Sequence, residues 1–164
     1  IKSMKTSSNY KTAEEQWKAL PNYMVDSDYK IMPIIDTSGS MSSVDLIRAK
    51  TEILGLAKAF DNIRIRIVEC DAELQLDILV EDKNYDTIKK LMMKGRGGTE
   101  FKPVFDYVKT KYPETKLIVF FTDGYGENVD ESYVPYGCDV LWIITKGGSP
   151  DNIKKVGNYI LMGE

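Results

Sequence analysis

Residues 31–50 read IMPIIDTSGSMSSVDLIRAK. An apolar run breaks off at a single carboxylate, Asp36. A stretch dense in hydroxyls with one glycine follows, and then Leu46, Ile47, Ile53, Leu54, Leu56, Ala57 and Phe60 recur at the spacing of a helix face. The first run is strand-length and the second is helix-length, with Ser43 suited to cap the helix. A buried strand that passes through a tight turn into an amphipathic helix is the opening unit of an α/β fold.

The same alternation continues toward the carboxyl end. NIRIRIVECD and ELQLDILV alternate apolar and polar residues, with only Asp71 and Ala72 between the two patterns, which predicts an antiparallel hairpin near a sheet edge. YDTIKKLMMK reads as a helix, GRGGTE as a glycine-rich loop, and FKPVFDYVKTKY as a helix with Pro103 near its start. TKLIVFFTDG is the most continuous apolar run, so it is expected at the centre of the sheet with Phe120 and Phe121 in the core. A long irregular loop over residues 125–137, a strand CDVLWIIT containing Trp142, a short helix SPDNIKKV and a last strand NYILM complete the order. The expectation is a mostly parallel sheet of about six strands, one antiparallel edge strand, and helices on both faces. Toward the amino end, residues 1–27 form a polar segment with one accessory helix in TAEEQWKALPNYM, where Thr12 and Glu15 have capping-box spacing.

Composition narrows the chemistry. A chain of 164 residues with 43% hydrophobic content suits one domain with a single sizeable core. A net charge of −3 creates no global positive field to recruit nucleic acid or an anionic membrane surface. No apolar stretch approaches the roughly 18 to 20 residues of a membrane span. The two cysteines, Cys70 and Cys138, are expected as buried apolar residues of a reduced, cytoplasmic protein. Histidine is absent, which excludes Ser-His-Asp and Cys-His catalysis and the HExxH zinc site. Carboxylates, hydroxyls and a hard cation are what remain.

Three polar clusters fall where an open α/β sheet binds its ligands, outside the carboxyl ends of the strands. They are Asp36, Ser38 and Ser40 after the first strand, Thr99 in the glycine-rich loop, and Asp123 at the end of the central strand. Two carboxylates and three hydroxyls form an all-oxygen set, suited to Mg²⁺ or Mn²⁺. Gly39 gives the first turn backbone freedom, and Gly97 and Gly98 let the second loop approach closely. Mg²⁺ prefers six ligands, so a position is left for water or for a carboxylate from outside.

These residues carry a family resemblance. DTSGS is similar to the DxSxS signature of von Willebrand factor A (VWA) domains, GGT to their isolated threonine, and FFTDG to their second aspartate. All three parts of the metal-ion-dependent adhesion site (MIDAS) appear in the family's order, and the resemblance covers roughly residues 28–164. It implies a Rossmann-like VWA fold with an apical Mg²⁺ held by Ser38, Ser40 and Thr99. Asp36 and Asp123 would lie close by, often through water, and the sixth ligand would be an Asp or Glu of a partner protein. CDAEL, GRGGTEFKPVFDYV, FFTDGYGE and VLWIIT look most like a bacterial intracellular VWA-like subgroup that includes predicted metallopeptidases and is often associated with AAA-type ATPases. No zinc motif accompanies the resemblance here. The stretch after Asp123 departs from many VWA domains by reading as loop where a helix is usual.

Other readings stand beside this one. Ser38, Ser40 and Ser43 also suit turns and caps. A phosphatase of the haloacid-dehalogenase type would use Asp36 as nucleophile, but it usually has a second aspartate where Ser38 stands. A metal-dependent hydrolase would need a general base, with Asp36 or Asp71 as candidates, and a purely structural domain would leave the site unused. Asp71, Glu127, Asp130 and Glu131 read as solvated loop acids or as a second cation site. Lys94, Arg96 and Lys102 flank Thr99 and would steer acidic peptides or simply be surface charge. The expectation is a cation-dependent binding module without turnover of its own.

Overall fold

Every residue of the strand Ile31–Asp36 (β1) is buried, because the sheet around it is covered on both faces. The computed structural model describes residues 31–59, 65–81, 84–89, 91 and 97–163. In chain order β1 is followed by α1 (Ser43–Ala59), β2 (Ile65–Cys70), β3 (Leu74–Val80), α2 (Tyr85–Lys89), α3 (Lys102–Lys111), β4 (Leu117–Thr122), β5 (Asp139–Ile144) and β6 (Asn158–Leu161). The strands lie in the order β3-β2-β1-β4-β5-β6. All neighbours are parallel except β2 and β3, the expected hairpin at one edge.

Alternate residues of the central strands feed two cores, as the period of a strand requires. Ile31 and Ile35 of β1 and Leu117, Val119 and Phe121 of β4 face α1, which buries Leu46, Ala49, Ile53, Leu56 and Ala57 against them. Met32, Ile34, Ile118 and Phe120 face the opposite way, under Val104, Phe105 and Val108 of α3. There Phe120 stacks on Trp142 with ring centroids 4.9 Å apart, and the indole Nε1 donates to the Val156 carbonyl at 2.8 Å. That bond satisfies the one polar atom of a fully buried Trp142.

Several expectations are corrected. The cap of α1 is Ser42 rather than Ser43: the Ser42 hydroxyl accepts from Asp45 N at 3.1 Å, and the Asp45 carboxylate accepts from Ser42 N at 3.0 Å. This reciprocal pair fixes the helix start one residue earlier. Ile47 lies on the outer face of α1, 61% exposed. Residues 149–156 form turns instead of a helix. Ile153 N and Lys154 N both donate to the Pro150 carbonyl, and Gly157 then takes φ +67°, leaving too short a run for a helix to propagate. The turns still place Ile153 and Val156 in the core. Cys70 is buried as expected, whereas Cys138 is only half-buried. The amino-terminal segment 1–27 with its accessory helix, Phe60, and the end of the helix expected over 85–94 lie outside the described residues.

Candidate functional site

The strand order reverses between β1 and β4, and an open parallel sheet forms its crevice at that point. Ile35 pairs with Phe121, so the next residues, Asp36 and Thr122, leave the sheet side by side. The Thr122 hydroxyl donates to Asp36 Oδ2 at 2.7 Å and accepts from Gly124 N at 3.0 Å. It therefore braces the end of β1 against the turn that follows β4.

The loop after β1 folds back on its own acid. Ser38 N donates to Asp36 Oδ1 at 2.9 Å, and the hydroxyls of Ser38 and Ser40 lie 3.2 Å apart. Thr37 turns away: its backbone N and its hydroxyl both donate to the Cys70 carbonyl, at 2.7 and 3.1 Å. Gly39 N donates to the Gly97 carbonyl at 2.9 Å, which ties this loop to the glycine-rich one. Asp36 and Ser38 are buried, while Ser40 reaches solvent.

Asp123 is buried beside them, with its Oδ1 accepting from Tyr125 N at 3.0 Å. Its carbonyl accepts from Ser149 N at 2.9 Å. Gly124 turns the chain with φ +80°, and a Cβ there would lie 1.9 Å from the Ser149 carbonyl oxygen, so only glycine fits. Thr99 is half-buried, and its methyl group packs toward Gly126, where an added Cβ would sit 3.1 Å away. Asp36, Ser38 and Ser40 thus form one bonded cluster with Asp123 close enough to repel Asp36. Thr99 joins them through its loop's bond to Gly39 and its packing on Gly126.

Charge at this cluster is left unbalanced. Burial pushes the Asp36 carboxyl up, bonds from Ser38 and Thr122 pull it down, and the nearby Asp123 pushes it up again, leaving it above the ordinary carboxylate value. Among the described residues no ion pair reaches Asp36 or Asp123. Also among them, no three acidic, cysteine or histidine side chains converge as a metal cluster, so an ion here would rest on hydroxyls and water as much as on carboxylates. The donor set fits a hard cation: adjacent oxygens around octahedral Mg²⁺ stand about 2.9 Å apart, and the serine pair lies a few tenths of an ångström wider.

Three further residues hold the rim together. Thr122 was legible only as part of FFTDG. Asp71, expected as a solvated loop acid, is buried, with Oδ2 accepting from Gly97 N and Oδ1 from Glu73 N at 2.9 Å and from Gln75 Nε2 at 3.0 Å. Burial pushes this carboxyl up, but those bonds outweigh it and hold it below the ordinary value. Glu127 accepts from the first backbone amides of α3, including Lys102 N at 2.8 Å, and so caps a helix that has no cap of its own. Asp130 caps the short 3-10 turn Glu131–Tyr133 through Ser132 N. These two acids serve as caps, and Glu131 is exposed. Lys102 pairs with Asp106 at 2.7 Å; Lys94 and Arg96 lie outside the described residues.

Comparison with known proteins agrees with this fold. An aerotolerance-related membrane protein from Bacteroides fragilis superposes with TM-score 0.56 at 18% identity, covering 71% of this chain and 67% of that one. BatB from Bacteroides thetaiotaomicron gives 0.58 at 16% identity, with 71% and 66% covered. Proximal thread matrix protein 1 from the mussel byssus gives 0.67 at 13%, with 84% and 44% covered. The chain thus spans about two thirds of the first two neighbours and under half of the third. No curated protein sequence matches it. No described helix is long and apolar enough to cross a membrane. The family model for the VWA-like domain (DUF2201) matches residues 31–160, and the chain belongs to that family.

Proposed function

We propose that this domain is a divalent-cation-dependent protein-binding module. Ser38, Ser40 and Thr99 would hold Mg²⁺ or Mn²⁺ directly, with Asp36 and Asp123 balancing its charge, often through water. The observation that carries this reading is the serine hydroxyl pair, 3.2 Å apart, set beside two buried acids with no ion-pair partner among the described residues. The bound ion would supply a Lewis-acidic position that neutral hydroxyls leave electrophilic. A partner protein's Asp or Glu fits that position, and an AAA-type ATPase system is the partner class suggested by the sequence resemblance.

The carboxylates that a hydrolase would need as base or nucleophile are already engaged. Both Asp36 oxygens accept bonds, from Ser38 N and the Thr122 hydroxyl, and both Asp71 oxygens accept from amides. An ionised carboxylate has about four acceptor sites, so these bonds leave room for chemistry, and an assay for turnover belongs to the test. Calorimetry with Mg²⁺ tests the reading: the wild type should bind one ion, and Ser38→Ala should weaken binding at least tenfold. Equal heats from both proteins would sink it, as would a phosphatase or peptidase rate that disappears in Asp36→Asn.

A further inference from the structure

Asp71 contributes no ligand in the reading above, yet it is buried and ties down the loop that carries Thr99. Its Oδ2 accepts from Gly97 N at 2.9 Å, and its own backbone carbonyl faces Glu100 N at 3.5 Å. The two contacts grip both ends of the segment 97–100, with Thr99 between them. The fit is close on the loop's side as well: a Cβ added at Gly97 would stand 2.8 Å from Asp71 Oδ2. From the far side of the same segment, the Gly97 carbonyl accepts from Gly39 N at 2.9 Å, so the loop is suspended between Asp71 and the turn bearing Ser38 and Ser40.

The hairpin is shaped to aim this acid. Between Glu69 and Cys70 the register shifts, so that the partners on β3 pass from Leu76 to Leu74 and leave Gln75 as the extra residue of a bulge. Bulges next to functional sites commonly re-aim a side chain, and here Gln75 Nε2 donates to Asp71 Oδ1 at 3.0 Å, beside Glu73 N at 2.9 Å. One oxygen is held by the hairpin and the other holds the loop.

We infer that Asp71 is the positioning residue of the cation site, setting the place of Thr99 through Gly97 N. The inference rests on the cation-binding reading. Outer-sphere partners that orient ligands typically change metal affinity by about 10- to 100-fold when removed. Mg²⁺ calorimetry on the intact chain should therefore show Asp71→Ala at least tenfold weaker than wild type, and Thr99→Ala weaker still or equal. The double variant should be no weaker than Thr99→Ala alone, because Asp71 acts only through Thr99. A general structural role would instead make the two losses add. Gly97→Ala keeps Asp71 and pushes the loop away from it, so it should reproduce the defect even if Asp71→Ala folds poorly. Affinity unchanged in Gly97→Ala and Asp71→Ala, while Ser38→Ala loses it, would overturn this inference and leave the cation reading intact. No Mg²⁺ binding by the wild type would overturn both.

Discussion

Asp36 and Asp71 leave neighbouring parallel strands at nearly the same level, since Asp36 pairs with Cys70 and Asp71 is the next residue. Both are buried, at 1% and 6% exposure, yet their surroundings push them in opposite directions. Asp71 receives two backbone amides and a side-chain amide on its two oxygens, and these outweigh burial to hold its carboxyl below the ordinary value. Asp36 receives one backbone amide and the hydroxyls of Ser38 and Thr122, faces Asp123 across a more deeply desolvated site, and is held above that value. Burial alone does not say what an acid is for; the difference lies in whether its charge is already answered. At Asp71 the protein supplies the answering dipoles itself, which makes the residue a brace. At Asp36 burial and Asp123 outweigh the bonds it receives, and under the proposed function the cation would answer that charge.

The contrast predicts where damage falls when no cation is present. The largest loss should come from Asp71→Asn, which sets an NH₂ donor against N–H groups that need an acceptor. Urea unfolding in Mg²⁺-free buffer should show a loss of about 2 to 3 kcal/mol. The pH dependence has a definite sign. The folded state favours the charged form of Asp71, so its stabilisation is complete above the ordinary carboxylate range and is lost as pH falls through the depressed folded value. The gap between wild type and Asp71→Asn should therefore close in acid; a gap that stays constant would mean that shape, not charge, is what Asp71 supplies. A smaller loss, about 1 to 2 kcal/mol, is expected for Thr122→Val, which leaves Asp36 Oδ2 and Gly124 N without their partner. Thr122→Ser should recover most of it.

The sequence pattern exposed the candidate ligands and hid the brace for a physical reason. Asp36, Ser38, Ser40, Thr99 and Asp123 interrupt apolar runs or sit among glycines, so local contrast marks them, and strand order alone then places Asp36 and Asp123 at one rim. Asp71 sits in an ordinary hairpin link, and its importance comes from the amide of Gly97, which lies 26 residues away. Nothing in the local composition distinguishes it from a solvated turn acid. The same holds for Glu127, which caps α3 across a comparable span. The bulge that brings Gln75 to Asp71 is equally invisible in the alternation of ELQLDILV, because a pattern of period two does not show where two residues oppose one. One expected helix, over 149–156, is a set of turns, and the start of α1 moves by one residue. The choice between Ser42 and Ser43 depended on which residue has Asp three positions on, a feature that was in fact readable.

The smallest effect is the sharpest test of the comparison. Asp36→Asn keeps an oxygen for Ser38 N and removes the repulsion from Asp123; the Thr122 hydroxyl loses the acceptor for its proton but has lone pairs to accept from the new NH₂ while still accepting from Gly124 N. Loss and gain should nearly cancel, so in Mg²⁺-free buffer the variant should unfold within about 0.5 kcal/mol of wild type. Added Mg²⁺ should then separate the two, since an ion that binds only the folded state stabilises it by about 2.7 kcal/mol at a hundred times its Kd. Wild type should gain on that scale and Asp36→Asn should not. Asp71→Asn should show the reverse order, with most of its loss present before any ion is added. If Asp36→Asn instead loses as much as Asp71→Asn in the absence of Mg²⁺, then Asp36 is a brace of the same kind, and its charge is answered by Ser38 and Thr122 alone.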